Sequence, residues 1–225
     1  MHDWAAVDAG TYHDFHRDWT VELCRRLNSG ILPAGYHARL QRRSNEPDEL
    51  DRPVHVGPTP TARIVQRAEA FTFAMRADRI VIIRESATVA LIEITTPGLT
   101  RSPLLRREFV TVACACFDCG VHLLLIDPFP TVSGNVGLHA TIWEDFNGKP
   151  LVPMPPDKPL AASSFDAGDD LTAYVEPLAV GDPLPDMPLF LEPGVYVPCP
   201  LEAAYATSWS TLPEVIREIV PALPG

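Results

Sequence analysis

Thr88-Val-Ala-Leu-Ile-Glu-Ile-Thr95 is the stretch on which the fold turns. From Val89 to Ile94 it is apolar at every position but Glu93. Such a run reads as a strand covered on both faces, since a strand with one wet face would alternate. Thr96-Pro97-Gly98 ends it. Val121-His-Leu-Leu-Leu-Ile-Asp127 repeats the pattern and predicts a second buried strand. Between them the sequence predicts a helix from about Pro103 to Cys119. Ser102 is its cap, Pro103 sits at its first position, and Gly120 closes it. A helix joining two such strands implies a right-handed parallel crossover.

Toward the N-terminus, strands are expected at 79–85 and at 69–76, where Phe71, Phe73 and Met75 alternate with other residues. Residues 44–61 are polar, contain four prolines and read as a loop. Tyr36, Ala38 and Leu40 alternate as in a half-buried strand. Tyr12, Phe15, Trp19, Leu23 and Leu27 mark one face of a helix over 11–28, with Gly30 suited to a left-handed cap. The first 130 residues therefore read α-β-β-β-α-β, with an extra strand or two before the crossover.

Beyond residue 130 the chain changes character. Twelve of the 24 prolines lie between 150 and 200, and proline lacks the donor that a central strand needs. The expectation is a single domain over 1–225. Residues 1–130 would form an α/β core with a mixed sheet, and 131–225 a proline-rich arm laid over it. Strand-like pieces fall at 137–144 and 171–178, and short helices at 201–209 and 212–220. No internal repeat is present.

The totals narrow the possible partners. At 225 residues, 46% hydrophobic and 21% charged, the chain is long enough for a sizeable core. No apolar run is long enough to span a bilayer, and Met1-His2-Asp3-Trp4 does not begin a signal peptide. A cytoplasmic protein with no membrane role is expected. Five cysteines, three of them in Cys114-Ala-Cys116-Phe-Asp-Cys119, make a poor disulfide framework. Residues 1–107 hold 15 arginines against 13 acids, whereas 108–225 hold 3 basic residues against 16 acids. The acidic half repels polyanions, so any nucleic-acid role falls to the first half.

Glu93 is the leading candidate for chemistry. A carboxylate inside an apolar strand must meet a cation, a metal or hydrogen-bond donors. His13 and His16, three apart on a helix, could share a metal, with Asp14, Asp18 and Glu22 nearby. On a helix Cys114 and Cys116 point about 160° apart, so with Cys119 they cannot converge on one zinc. They read as small core residues, and His122 as a hydrogen-bonded core histidine. The sequence contains no phosphate loop, dinucleotide fingerprint or Gly-x-Ser-x-Gly elbow.

The order α-β-β-β-α-β resembles the core of the restriction-endonuclease-like, or PD-(D/E)xK, folds. That resemblance implies an acid near one strand and a second acid on the next, both binding Mg²⁺. It also implies a Lys two residues after the second acid. Over nearly its whole length the chain also resembles the bacterial family known as domain of unknown function 4058. The matching segments are His2-Asp3-Trp4, Tyr12-His-Asp-Phe-His16, Leu32-Pro-Ala-Gly-Tyr36, Ala90-Leu-Ile-Glu-Ile94 with Pro97, Gly120-Val-His-Leu-Leu124 and Ala173 through Leu191. The family looks related to the same nuclease superfamily, which implies the same fold.

The departures bear on function. The family's acid before the strands is replaced by Asp51-Arg52-Pro53-Val54, leaving Asp51 or Asp48 as a displaced substitute. Its Ser-Pro-Ala-Asn-Lys after the strand glutamate reads Thr96-Pro97-Gly98-Leu99-Thr100, and a basic helix position has become Val112. Position 95, two after Glu93, is Thr, and the chain's only lysines are Lys149 and Lys158.

Two functions of different kinds follow. The first is a catalytically degenerate nuclease-like scaffold that binds a protein partner through the proline-rich arm or the groove beneath it, with no cofactor. The second is a Mg²⁺-dependent phosphodiesterase acting on nucleic acid. Its ligands would be Glu93 with Asp51 or Asp78, and Arg101 or Arg106 would stabilise charge, although arginine cannot give up a proton as lysine does. A zinc or iron site at His13 and His16 is a third reading.

Overall fold

In the computed structural model, which describes residues 1–42, 78–130 and 136–221, the expected crossover forms. In chain order the described elements are α1 (Ala9–Arg26), β1 (Tyr36–Arg42), β2 (Asp78–Arg84), β3 (Ala87–Ile94), α2 (Pro97–Arg101), α3 (Pro103–Asp118), β4 (His122–Asp127), α4 (Leu138–Asn147), β5 (Leu160–Ala167), β6 (Leu171–Leu178), β7 (Met187–Glu192), β8 (Val195–Cys199), α5 (Leu201–Thr211) and α6 (Glu214–Ile219). β3 and β4 pair in parallel from Ala90 opposite His122 to Ile94 opposite Ile126. The Ser102 side chain accepts from the Leu105 N–H at 3.4 Å and so caps α3. The expected strand at 69–76 and the loop at 44–61 lie outside the described residues.

Six strands form one mixed sheet in the order β1-β2-β3-β4-β5-β6. The β3–β4 pair is parallel and the other pairs are antiparallel. β7 and β8 make a separate hairpin, whose inward residues Met187, Leu189 and Leu191 join the core beneath α1.

Two expectations for the second half need correction. Residues 138–144 are not a strand but lie in α4, with Gly137 at its N-cap. Leu138 and Ile142, one turn apart, are both buried on its inner face. Gly148, at φ 69°, ends the helix in the left-handed region open to glycine. Nor is residues 131–225 simply an arm over a first-half sheet, because it supplies β5 and β6 to that sheet. β5 is buried at all 8 of its positions between β4 and β6. It contains no proline, as a central strand requires, whereas Pro177 sits on β6 at the end of the strand order and Pro188 and Pro198 sit in the hairpin.

Alternation along the strands divides the core into two layers. Ile80 and Ile82 of β2, Ala90, Ile92 and Ile94 of β3, and Leu124 and Ile126 of β4 face α1, α5 and the hairpin. Val81, Leu91, Leu123, Leu125 and Phe165 face α3 and α4. The first layer is ring-rich: Trp4 stacks on Phe15 at 4.3 Å, and Trp19 meets Tyr205 edge-on at 5.0 Å. Trp4 Nε1–H also donates to the Tyr205 hydroxyl at 3.0 Å. No described helix is long and apolar enough to cross a membrane.

Candidate functional site

The carboxyl ends of β3 and β4 lie side by side at the only parallel pairing among the described strands. Ligands of open α/β sheets collect at such ends. Residues paired across a ladder share a face, so Glu93, opposite Leu125, lies on the α3 side with Leu91 and Leu125. Two residues on, Thr95 and Asp127 face each other on that same side. The Thr95 N–H donates to the Ile126 carbonyl at 2.9 Å, and its hydroxyl donates to Asp127 Oδ1 at 2.6 Å.

Glu93 and Asp127 are therefore two acids on one face of adjacent strands, 3% and 7% exposed. Burial pushes the Asp127 carboxyl up to about 6, against the Thr95 hydroxyl, the Phe129 N–H and the positive field of Arg106. Arg106 comes from the first turn of α3. Its guanidinium donates to the Val136 carbonyl and, at 2.5 Å, to the Thr141 hydroxyl on α4. Desolvation lowers its pKa, with Asp127 opposing the change.

His139 completes this polar layer. It is buried on α4, and burial, aided by Arg106, holds it neutral down to about 4. Its ring lies so close to Gly137 that a Cβ there would stand 2.5 Å from His139 Cε1. Two openings flank α4. One, of about 300 Å³, lies among Arg106, Arg107, Thr141 and Asp145. The other, of about 480 Å³, lies between His139, Ala140, Glu144 and the proline-rich run 150–159.

The opposite face of the same strand ends is closed by α1. The Tyr12 hydroxyl donates to the Thr95 carbonyl at 2.8 Å, and His16 Nε2–H donates to the Ile94 carbonyl at 2.9 Å. A carbonyl can only accept, so this bond fixes the neutral tautomer of His16. Burial holds the ring uncharged down to about 4.

The residues singled out in the sequence are thus distributed over both faces. Asp78, two before Ile80 in β2, projects with Ile80 toward α1, and its charge acts on His16. Glu93 points the other way. On the Glu93 face, β2 presents Arg79, whose Nε–H donates to Gln41 Oε1 at 2.9 Å and whose charge acts on Cys116 of α3. Asp51 lies outside the described residues, and Arg101 is the last residue of α2. His13 is one turn before His16 on α1. Glu22 is held by Arg25 and, at 2.8 Å, by Arg26. His122 accepts the Ala167 N–H on Nδ1 at 3.0 Å. Lys158 lies 3.4 Å from Asp182, and Lys149 is exposed after α4. Sequence reasoning passed over Asp127, Thr95 as its partner, and His139. Taking the predicted crossover literally would have set Thr95 beside Asp127.

Among the described residues, no group of three or more His, Cys, Asp or Glu side chains is placed to hold a metal ion. A Mg²⁺ ion takes hard oxygen ligands in octahedral geometry. Here one Asp127 oxygen already accepts from Thr95, its carboxyl titrates near neutrality, and Asp78 is on the other face. Asp51, the other expected ligand, lies outside the described residues. What the arrangement does is tie neighbours within each layer: Arg106 joins α3 to α4, and Thr95 joins the end of β3 to β4. No family model matches the chain, and neither a curated protein nor a solved structure matches it.

Proposed function

We propose that the chain is a divergent relative of the domain of unknown function 4058 family, a nuclease-like scaffold without catalysis that serves as a cytoplasmic binding module. The described order α1-β1-β2-β3-α2-α3-β4, with a parallel β3–β4 pair joined through α2 and α3, supports the restriction-endonuclease-like reading. One observation carries the loss of catalysis. At position 95, where such a site needs an amine, a threonine hydroxyl is committed to Asp127 at 2.6 Å. The acid on the neighbouring strand, Asp78, lies toward His16 on the α1 side, on the face opposite Glu93. The remaining function is recognition, and the acidic second half directs it toward a protein surface and away from a phosphate backbone.

A single observation favours the second reading, a Mg²⁺-dependent phosphodiesterase: Glu93 and Asp127 share a face at the carboxyl ends of parallel strands. Incubation with single- and double-stranded DNA and RNA in Mg²⁺ or Mn²⁺ separates the two. The expected result is no cleavage by the wild-type chain. Cleavage that disappears in Glu93→Ala overturns the scaffold reading.

A further inference from the structure

Lys149-Pro-Leu-Val-Pro-Met-Pro-Pro-Asp-Lys-Pro159 joins α4 to β5 and has a period of three: Pro150, Pro153, Pro156 and Pro159 fall at every third position. Apart from Leu151 and Asp157, every residue in it is a proline or precedes one. A proline ring fixes its own φ near −65° and steers the residue before it away from helix. Both constraints favour polyproline II, the extended left-handed helix with three residues per turn. The backbone accordingly has neither helix nor strand over 150–155, until residues 155–158 turn with the Lys158 N–H donating to the Pro155 carbonyl at 3.0 Å.

Exposure follows the same period. Leu151 and Met154 are half-buried and line the cleft beside His139 and Ala140 on α4. Pro150 and Pro153 on one edge and Val152 and Pro155 on the other are exposed, at the rim of the same cleft. Val152 is 83% exposed, the highest value among the exposed large hydrophobic residues described. One edge anchors the segment to the domain while two stand out as apolar ridges with their ordering entropy already spent. Lys149, exposed at the start of the ridge, is one of only three basic residues after position 107. A polyproline II ligand fits its groove in either direction, so a charge at one end sets which way it lies.

We propose that residues 149–155 are a preformed polyproline II ligand for a protein domain whose groove is lined by aromatic rings, with an acidic residue at one end of that groove to meet Lys149. The proposal rests on the binding-module reading above and names the class of its partner. Domains of this kind take ridges of alternating apolar and proline edges into slots between aromatic side chains.

The test titrates the full chain against purified SH3, WW and EVH1 domains by calorimetry. Pro153→Ala, Val152→Asp and Lys149→Glu are prepared in parallel. All three positions are exposed, so unchanged circular dichroism and thermal unfolding are expected. At least one domain class should bind, weakened about tenfold or more by Pro153→Ala or Val152→Asp. Lys149→Glu should weaken it further as salt is lowered. Absence of binding to all three classes overturns the proposal, and so does binding that the folded Pro153→Ala and Val152→Asp variants retain. Either result leaves a non-catalytic scaffold that binds by another surface. Glu93-dependent nucleic-acid cleavage would remove that scaffold reading without touching the calorimetry.

Discussion

The face of the sheet under α1 is sealed by rings, and the face under α3 and α4 by charges and hydrogen bonds as well as aliphatic side chains. Tyr12, Phe15 and Trp19 on α1 and Trp4 ahead of it are all but fully buried. Across the sheet, Glu93, Asp127 and His139 are buried with Arg106 close by. The difference teaches where stability and adaptability sit. The apolar rings contribute through area and packing, which are insensitive to solution conditions, whereas His16, buried among them, is not. A buried carboxyl, a guanidinium and a neutral imidazole contribute in proportion to their protonation and partners.

The sharpest way to break this comparison is Phe15→Ala on the ring face. It should lower the unfolding free energy in urea by roughly 3–5 kcal/mol, the range for a fully buried phenylalanine. A loss under about 1 kcal/mol would mean that the ring face is not the main seal.

Next in size is a pH experiment. His16 and His139 stay neutral down to about 4 in the folded chain, against an ordinary value of 6.5. The unfolded chain takes up these protons first, so the histidines remove stability as pH falls from 6.5 toward 4. Asp127 opposes them. Its carboxyl is raised to about 6 from 3.8, so its contribution is present below 3.8 and lost as pH rises through about 6. Asp127→Asn removes that opposition. Its stability should fall more steeply than that of the wild type between pH 6 and 4, by at most about 3 kcal/mol. Parallel profiles for the two proteins would show that Asp127 titrates normally.

A smaller effect is expected at Gly137→Ala on the polar face. The new methyl would press on the His139 ring and cost about 1–3 kcal/mol, and His139→Ala should recover part of it in a double-mutant cycle. The smallest change tests the rim. Arg84 meets Glu192 at 2.5 Å, with both side chains about half exposed, so Arg84→Ala should cost less than about 1 kcal/mol and less still in high salt.

Of the polar face, Glu93 and the frame of α3 and β4 were legible in the sequence, for a physical reason. Glu93 stands out because a charge within an apolar strand is costly, and Ser102, Pro103 and Gly120 bracket α3 with ordinary capping chemistry. β4 could be read because its leucines run without interruption. α4 misled because Leu138, Ala140 and Ile142 also alternate with polar residues, so a short window fits a period of two as well as 3.6. β5 was hidden among prolines, and Leu160-Ala-Ala-Ser-Ser-Phe-Asp-Ala167 lacks the β-branched residues that announce a strand. Its burial comes from neighbours on both sides, which no local window contains. Asp127 was seen only as the end of a strand, since its partner Thr95 lies 32 positions away.

Trp4 reaches across 201 positions to bond Tyr205, and the Asp3 N–H meets the Pro221 carbonyl. The rings of Trp4 and α1 thus leave the ribosome well before α5, which covers part of them. At ordinary synthesis rates that interval is about 10–40 s. During it the part of the α1 stripe that Tyr205 covers stays open to water. A transcript cut short before codon 201 would yield an aggregating product, even with every strand of the sheet already made.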